Sequence, residues 1–251
     1  MSKIPVKKSV GIILCRKATA GYEVLLVHKR TSYAFSYFVN GRYRSVSDAT
    51  KLLSEMTREE LIAITYLDFN LLWHRMWLTI GSGTYFDKCG SKFTKTFLSR
   101  DNGRTLINII KKTRPTGDHI WELPKGRKLS TRATGGSEEP DITCAIRELA
   151  EEASITKNEY KIIPEITCSD KFVSYKVEYQ YLFFAAIANN RLTSGCRDDL
   201  LLNPFVREGE GEVCSVRWAN LNDLKYLDGP SQKIKKMVAP IFNKLKNMES
   251  Q

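Results

Sequence analysis

The sequence predicts an α+β fold, one mixed domain interrupted by a mainly helical insertion. Three observations carry this. Alternating and β-branched apolar runs occur near the start and again over the second half. Between them, residues 36–117 hold apolar side chains at helical spacing. A short helix with three carboxylates on one stripe then lies inside the second β-rich part.

In order along the chain, "SVGIILCRKATAGYEVLLVHKR" (residues 9–30) comes first. Its apolar runs Val10–Cys15 and Tyr22–Val27 flank a turn containing Gly21, the pattern of a β-hairpin. "MTREELIAITYLDFNLLWHRMWL" is apolar at helical spacing. Thr57 and Glu60 form a capping box for a helix beginning near Arg58. Asp101 or Asn102 starts a further helix whose inner face carries Leu106, Ile107 and Ile110. "HIWELPKG" restores strand texture and runs into a loop. Pro140 then suits the first position of the acidic helix. "SYKVEYQYLFFAAIA" and "EVCSVRWANL" read as strands. "GPSQKIKKMVAPIFNKLKN" reads as a basic helix starting after Gly229 and disturbed by Pro240. The expected organisation is residues 1–35 and 118–251 as the two parts of one domain, with 36–117 as the insertion.

Composition narrows the function. The chain has 251 residues and a formal net charge of +11, with a pI near 9.3. Such a balance favours polyanionic partners: nucleic acid, an acidic membrane face or phosphorylated small molecules. No apolar run is long enough to span a membrane, and "MSKIPVKKSV" lacks the apolar core of a signal peptide. The six cysteines are scattered, without a CxxC pair. They are expected to be buried, reduced thiols of a cytoplasmic protein, neither zinc ligands nor a disulfide framework.

The acidic helix poses a physical question. Glu148, Glu151 and Glu152 stand at i, i+3 and i+4, so like charges face each other. Something positive must cover them. A hard divalent cation, Mg²⁺ or Mn²⁺, is held by oxygen ligands of this kind. The surrounding residues complete a pattern. Gly126 follows a strand-like "WELPK", Glu139 lies in the loop, and after seven intervening residues comes Arg147-Glu148-Leu149-Ala150-Glu151-Glu152-Ala153-Ser154-Ile155. This resembles the box of the Nudix family, G-x5-E-x7-R-E-U-x-E-E-x-G-U, and places it over residues 126–155. Two departures stand out. Twelve residues separate Gly126 from Glu139 instead of five, and Ser154 stands where the family has glycine.

The resemblance implies a Nudix α/β/α sandwich and metal-dependent hydrolysis of a diphosphate bridge. It implies that Glu148, Glu151 and Glu152 hold metal together with the Gly126 carbonyl, and that one carboxylate acts as base. It assigns Arg147 and Glu139 a structural pairing. Family members often add one carboxylate from outside the box. Glu212, just before a late strand, is the first candidate here; Glu178 and Glu210 are others.

The box does not select the substrate. Between Lys88 and Arg114, eight basic residues (Lys88, Lys92, Lys95, Arg100, Arg104, Lys111, Lys112, Arg114) face one acid, Asp101. Trp73, Trp77, Tyr85, Phe93 and Phe97 are interleaved or nearby, most of them expected to serve the insertion's own core. Cations with aromatics suit a nucleic-acid strand. The hairpin ending in "LLVHKRTSYAFSYFV", the stretches "LDFNLLWHRMW" and "DNGRTLINIIKK", and the box together resemble mRNA-decapping Nudix enzymes of large cytoplasmic DNA viruses. That resemblance implies cleavage of the mRNA 5′ cap into 7-methyl-GDP and 5′-monophosphate RNA in the cytoplasm of an infected cell. The alternatives left open are hydrolysis of diphosphoinositol polyphosphates or nucleotides, and RNA binding without catalysis. An oligomer is allowed.

Overall fold

The structure is a computed structural model that describes residues 4–118, 120–174, 177–189, 200–201, 212–227 and 229–249. It divides into two compact units. The first comprises Met1–His28, Trp121–Leu202 and Ser215–Gln251; the second comprises Lys29–Ile120 and Asn203–Cys214.

The first unit is built on a mixed sheet. β1 (Val6–Ala18) and β2 (Gly21–Lys29) form the expected hairpin, with Ala18 opposite Gly21. Gly21 sits at φ +123°, a region closed to other residues. β1 runs parallel to β6 (Val177–Ala188), and β6 pairs antiparallel with β5 (Tyr160–Ser174). The strand order is β5-β6-β1-β2-β8-β7, where β7 is Leu200–Leu201 and β8 is Val213–Ala219. The "WELPKG" stretch supplies two short strands, β3 (Trp121–Glu122) on β2 and β4 (Lys125–Gly126) on β1. Val10 opposes Gly126 and Gly11 opposes Lys125. Gly11 is required there because a Cβ would strike the Pro124 carbonyl. The mixed sheet with its helices is α+β, as the sequence predicts.

The core of this unit packs Ile13, Val24, Leu26, Phe183 and Ala185 against a C-terminal helix. That helix, Lys233–Glu249, runs uninterrupted through Pro240, contrary to the expected disturbance. Pro240 is on the exposed side, where the carbonyl it leaves unpaired meets water. Ile234, Val238, Ile241, Phe242 and Leu245 are buried on the opposite side and hold the helix to the sheet.

The second unit is helical. Its elements are α1 (Tyr33–Val39), α2 (Val46–Ser54), α3 (Arg58–Tyr66), α4 (Phe69–Trp77), α5 (Gly83–Phe93) and α6 (Arg104–Lys112), with a π-helical stretch Thr94–Leu98 continuing α5. The Thr57–Glu60 capping box is present. The long apolar run after it forms two helices, because Asp68 accepts from Leu71 N at 3.0 Å and restarts the helix as an N-cap. Asp101 accepts from Thr105 N at 3.0 Å at the start of α6. Phe38, Phe93 and Phe97 pack ring on ring at the centre, while Tyr85 is exposed. Glu60 is only 2% exposed, yet satisfied: Ser32 N (2.5 Å), Ser32 Oγ (2.7 Å) and Thr57 N (3.0 Å) all donate to it. One carboxylate thereby anchors the starts of both α1 and α3.

Candidate active site

The acidic helix is α7, Asp141–Ala153. Pro140 takes the N-cap position, one place earlier than expected, with extended backbone (φ −60°, ψ 146°). Cys144, Ala145, Leu149 and Ala153 are buried on its inner face, and α7 packs on β1 and β4. Its C-cap, Ser154, adopts the left-handed conformation (φ 55°, ψ 32°), with its N–H donating to Ala150 O at 3.0 Å. The chain turns here as a glycine would, despite the side chain.

Arg147 supplies the positive charge that the stripe demands. Its Nε and Nη2 donate to the two oxygens of Glu139, each at 3.0 Å. Nη1 reaches Glu148 (2.7 Å) and Glu151 (2.9 Å), and Nη2 also meets the Arg127 carbonyl (2.9 Å). Glu139 is nearly buried and takes a further bond from Leu129 N at 2.8 Å. The Arg147 guanidinium therefore holds the Glu139 carboxyl below its ordinary range. Glu152 faces elsewhere, accepting from Lys125 N at 2.9 Å.

Glu148 differs from its neighbours. Its side chain is 12% exposed and lies directly against Gly126, where a Cβ would collide with the carboxylate. Burial pushes its pKa up to about 7, against the lowering pull of Arg147 and with added repulsion from Glu152 and Glu151. Burial also raises the Cys144 thiol, to about 12, so this residue is an inert filler beneath the Gly126 carbonyl, to which it donates at 3.8 Å.

A hard cation suits the types of donor here: three carboxylates, and a glycine carbonyl beside a carboxylate that leaves no room for a side chain. The three Glu residues share α7, but in the arrangement seen Arg147 and the Lys125 amide engage them. Among the described residues, no three His, Cys, Asp or Glu side chains are already gathered as a metal cluster. The lengthened loop after Gly126 is stitched by Lys128, which pairs with Glu138 and Asp141, each at 2.7 Å. Their carboxylates raise the Lys128 pKa well above its ordinary value.

Glu212 belongs to the second unit and pairs with Lys29 at 3.0 Å. Glu178 sits on β6 and accepts from Gln180 at 2.6 Å. Glu210 lies outside the described residues.

The eight basic residues expected to meet RNA, Lys88, Lys92, Lys95, Arg100, Arg104, Lys111, Lys112 and Arg114, are all exposed. Lys92 has a different task. Its Nζ donates to the carbonyls of Gly41 and Tyr43, each at 2.6 Å, and lies 4.8 Å from the centre of the Tyr43 ring. It clamps the chain after α1. Sequence spacing does not distinguish such a lysine from its solvated neighbours.

A model of the NUDIX domain matches residues 95–239. The mRNA-decapping protein g5R of African swine fever virus (Badajoz strain) is 32% identical over 247 residues, covering 96% of this chain and 95% of the viral protein. Its counterpart from a Namibian warthog isolate is 31% identical, with 96% of each chain covered. Among solved structures, the Ap4A hydrolase of C. elegans in a binary complex aligns over 97% of both chains, at 16% identity and a TM-score of 0.44. With the domain match spanning more than half of its length and a curated relative aligned over nearly all of it, the chain belongs to the Nudix hydrolase family.

Proposed function

We propose that this Nudix hydrolase cleaves the 5′ cap of mRNA, releasing 7-methyl-GDP and RNA with a 5′-monophosphate. The observation that carries the chemistry is Glu148, buried against Gly126 with a pKa near 7 and with Glu151 and Glu152 one turn on. Glu148, Glu151, Glu152 and the Gly126 carbonyl would hold Mg²⁺ or Mn²⁺. When bound, such an ion neutralises charge on the bridging phosphates and acidifies water. A carboxylate of this set takes the proton of the attacking water as that water adds to the RNA-side phosphorus and 7-methyl-GDP leaves. Arg147, locked to Glu139, would fix the height and rotation of α7, the helix that carries the carboxylates.

Substrate choice draws support from the viral decapping relatives and from the exposed cations of α5, α6 and the segment between them. These would take phosphates of the RNA body. No described helix is long and apolar enough to cross a membrane, and the cytoplasm of an infected cell is the compartment proposed.

The second reading is a small polyphosphate such as a diphosphoinositol polyphosphate. A cavity of about 680 Å³ in the first unit is lined by Lys8, Lys128 and Lys171, but Glu138, Asp141 and Asp170 line it too and two of them already pair with Lys128, so it offers that reading no net positive charge. The two readings separate in one experiment. Cap-labelled RNA, free cap analogue and a diphosphoinositol polyphosphate are each incubated with the protein and Mg²⁺ or Mn²⁺, and products are identified. Release of 7-methyl-GDP from RNA, far faster than turnover of either small substrate, is expected. Equal or better turnover of the inositol substrate, with capped RNA left intact, would reverse the order.

A further inference from the structure

Within the first unit, the sheet carries a polar cavity beside α7. A Cβ on Gly126 would meet Glu148, so the face that Val10 shares with its cross-strand partner Gly126 is the one on which α7 lies. Alternate residues of a strand share a face. Lys8 of β1 therefore stands on that face, in register with Gln180 of β6 and Lys171 of β5. One step further in, Val10, Leu182 and Ser169 line up in the same way. These two rows floor the cavity of about 680 Å³, a size that takes a nucleotide. Val10 beside Gly126, and Asp141 at the start of α7, both line it, so it adjoins the candidate active site within one unit.

Charge in this cavity is segregated. Lys8 and Lys171 are exposed, and among the described residues neither has a carboxylate partner. Gln180, between them, donates its amide N–H to Glu178 at 2.6 Å, which leaves its oxygen to accept. The wall comes from the loop after Gly126 and the start of α7, where Glu138 and Asp141 share Lys128 between them. Asp170 alternates to the other face of the sheet, with Tyr181 opposite it. The wall is thus built in part by the loop that departs from the family spacing.

Two free ammoniums on the floor and two carboxylates on the wall suit a ligand that is anionic at one part and donates hydrogen bonds at another. A nucleotide is such a ligand, with its charge on phosphate and its N–H donors on the base. A cluster of phosphates is not, because the acidic wall would repel it. Lys8 and Lys171 stand two strand spacings apart, about 10 Å, on either side of Gln180. A nucleotide inside a strand has a phosphate on each side of its sugar, whereas 7-methyl-GDP carries both phosphates on one side. The placement therefore favours the RNA over the cap. We propose that this cavity seats one nucleotide of the RNA next to the cleaved bond. Its two flanking phosphates lie on Lys8 and Lys171, and its base lies against Val10 and Leu182 with a donor on Gln180 Oε1. The inference rests on the cap-cleavage reading, yet it is tested by binding, without turnover.

The experiment measures binding of the dinucleotide pApA, of AMP and of inorganic tripolyphosphate to the full chain in EDTA, by calorimetry. The wild type should prefer pApA over AMP by about tenfold, as one added charge-assisted contact gives. Lys8→Gln and Lys171→Gln should each remove most of this preference and flatten the salt dependence of pApA binding by about 0.7 in log–log slope. Lys8→Arg and Lys171→Arg should keep it. Gln180→Leu should instead weaken pApA and AMP alike. Both lysines are exposed and unpaired, so these variants should melt with the wild type. Equal binding of pApA and AMP, or an unchanged preference in both Gln variants, would overturn the assignment. So would tripolyphosphate binding that is tighter than that of pApA and lost in the same two variants. Hydrolysis of capped RNA is scored separately. If wild-type protein cleaves capped RNA but binds pApA no better than AMP, the nucleotide seat falls and decapping stands. If it shows the preference but cleaves no cap, decapping falls and the seat stands.

Discussion

Arg147 and Glu139 meet through two parallel bonds of 3.0 Å across eight residues of sequence, and the same guanidinium touches Glu148 and Glu151. One arginine is thus both the brace of the helix and the counter-charge to its acidic stripe. Breaking a largely buried, bidentate pair costs about 3 kcal/mol, since the partner is left charged and dry. Arg147→Ala is therefore expected to lower the unfolding free energy by about that amount and to reduce kcat. Lysine at this position should rescue little, because an ammonium cannot fill the forked geometry. Urea denaturation and turnover measured together test this. A change in KM alone would mean that Arg147 touches substrate.

Glu148 makes stability depend on pH in a direction opposite to most carboxylates. Its pKa rises from 4.5 unfolded to about 7 folded. The folded state therefore binds more protons between these values, and stability falls as pH climbs from about 4.5 to about 7. Glu148→Gln should remove this component. In EDTA the variant should be more stable than wild type at pH 8, by an amount of order 2 kcal/mol, and nearly equal to it at pH 4.5. Added Mg²⁺ or Mn²⁺ should stabilise the wild type more at pH 8 than at pH 5.5, because the proton and the ion compete for one carboxylate. Parallel denaturation curves for the two proteins across this range would contradict the burial of Glu148.

Ser154 closes α7 in left-handed backbone that favours glycine. Ser154→Gly should relieve this strain and raise stability by roughly 0.5–1 kcal/mol, the glycine's extra freedom in the unfolded chain offsetting part of the gain. Catalysis should be unchanged. A loss of stability would show that the Ser154 side chain has a role of its own.

How much of the fold and site is legible in the sequence follows the range of each interaction. The hairpin around Gly21, the Thr57–Glu60 capping box and the acidic stripe are set by residues within a turn or two of each other, so spacing reveals them. Glu60 as an anchor for Ser32 is not legible, because the partner is 28 residues away. Asp68 is hidden by the apolar periodicity that continues on both sides of it. Pro240 misleads because local propensity disfavours it, while burial of five apolar side chains overrides that cost. Glu212 draws notice by its position before a strand, whereas its ion pair with Lys29 spans 183 residues.

The basic segment yields the sharpest separation of roles. Lys92 directs its ammonium to two carbonyls and a ring face; Lys88, Lys95, Lys111 and Lys112 are exposed. Lys92→Glu should therefore act on folding, leaving two carbonyls without their donor and placing a carboxylate against them. Its melting temperature should drop by several degrees, in line with a loss of about 1–2 kcal/mol. Changing Lys88, Lys95, Lys111 and Lys112 together to Glu should leave stability nearly intact, since exposed charges contribute little. It should instead weaken capped-RNA binding and flatten the salt dependence, by about 0.7 in log–log slope for each single-strand phosphate that is no longer neutralised. That fourfold variant should still hydrolyse a free diphosphate substrate at close to the wild-type rate, as α7 is untouched. Thermal melts, RNA titrations at two salt concentrations and a small-substrate assay read all three outcomes. If the fourfold variant kept its full RNA affinity, the exposed cations of this segment would not be an RNA-binding surface, and the small-polyphosphate reading would move ahead.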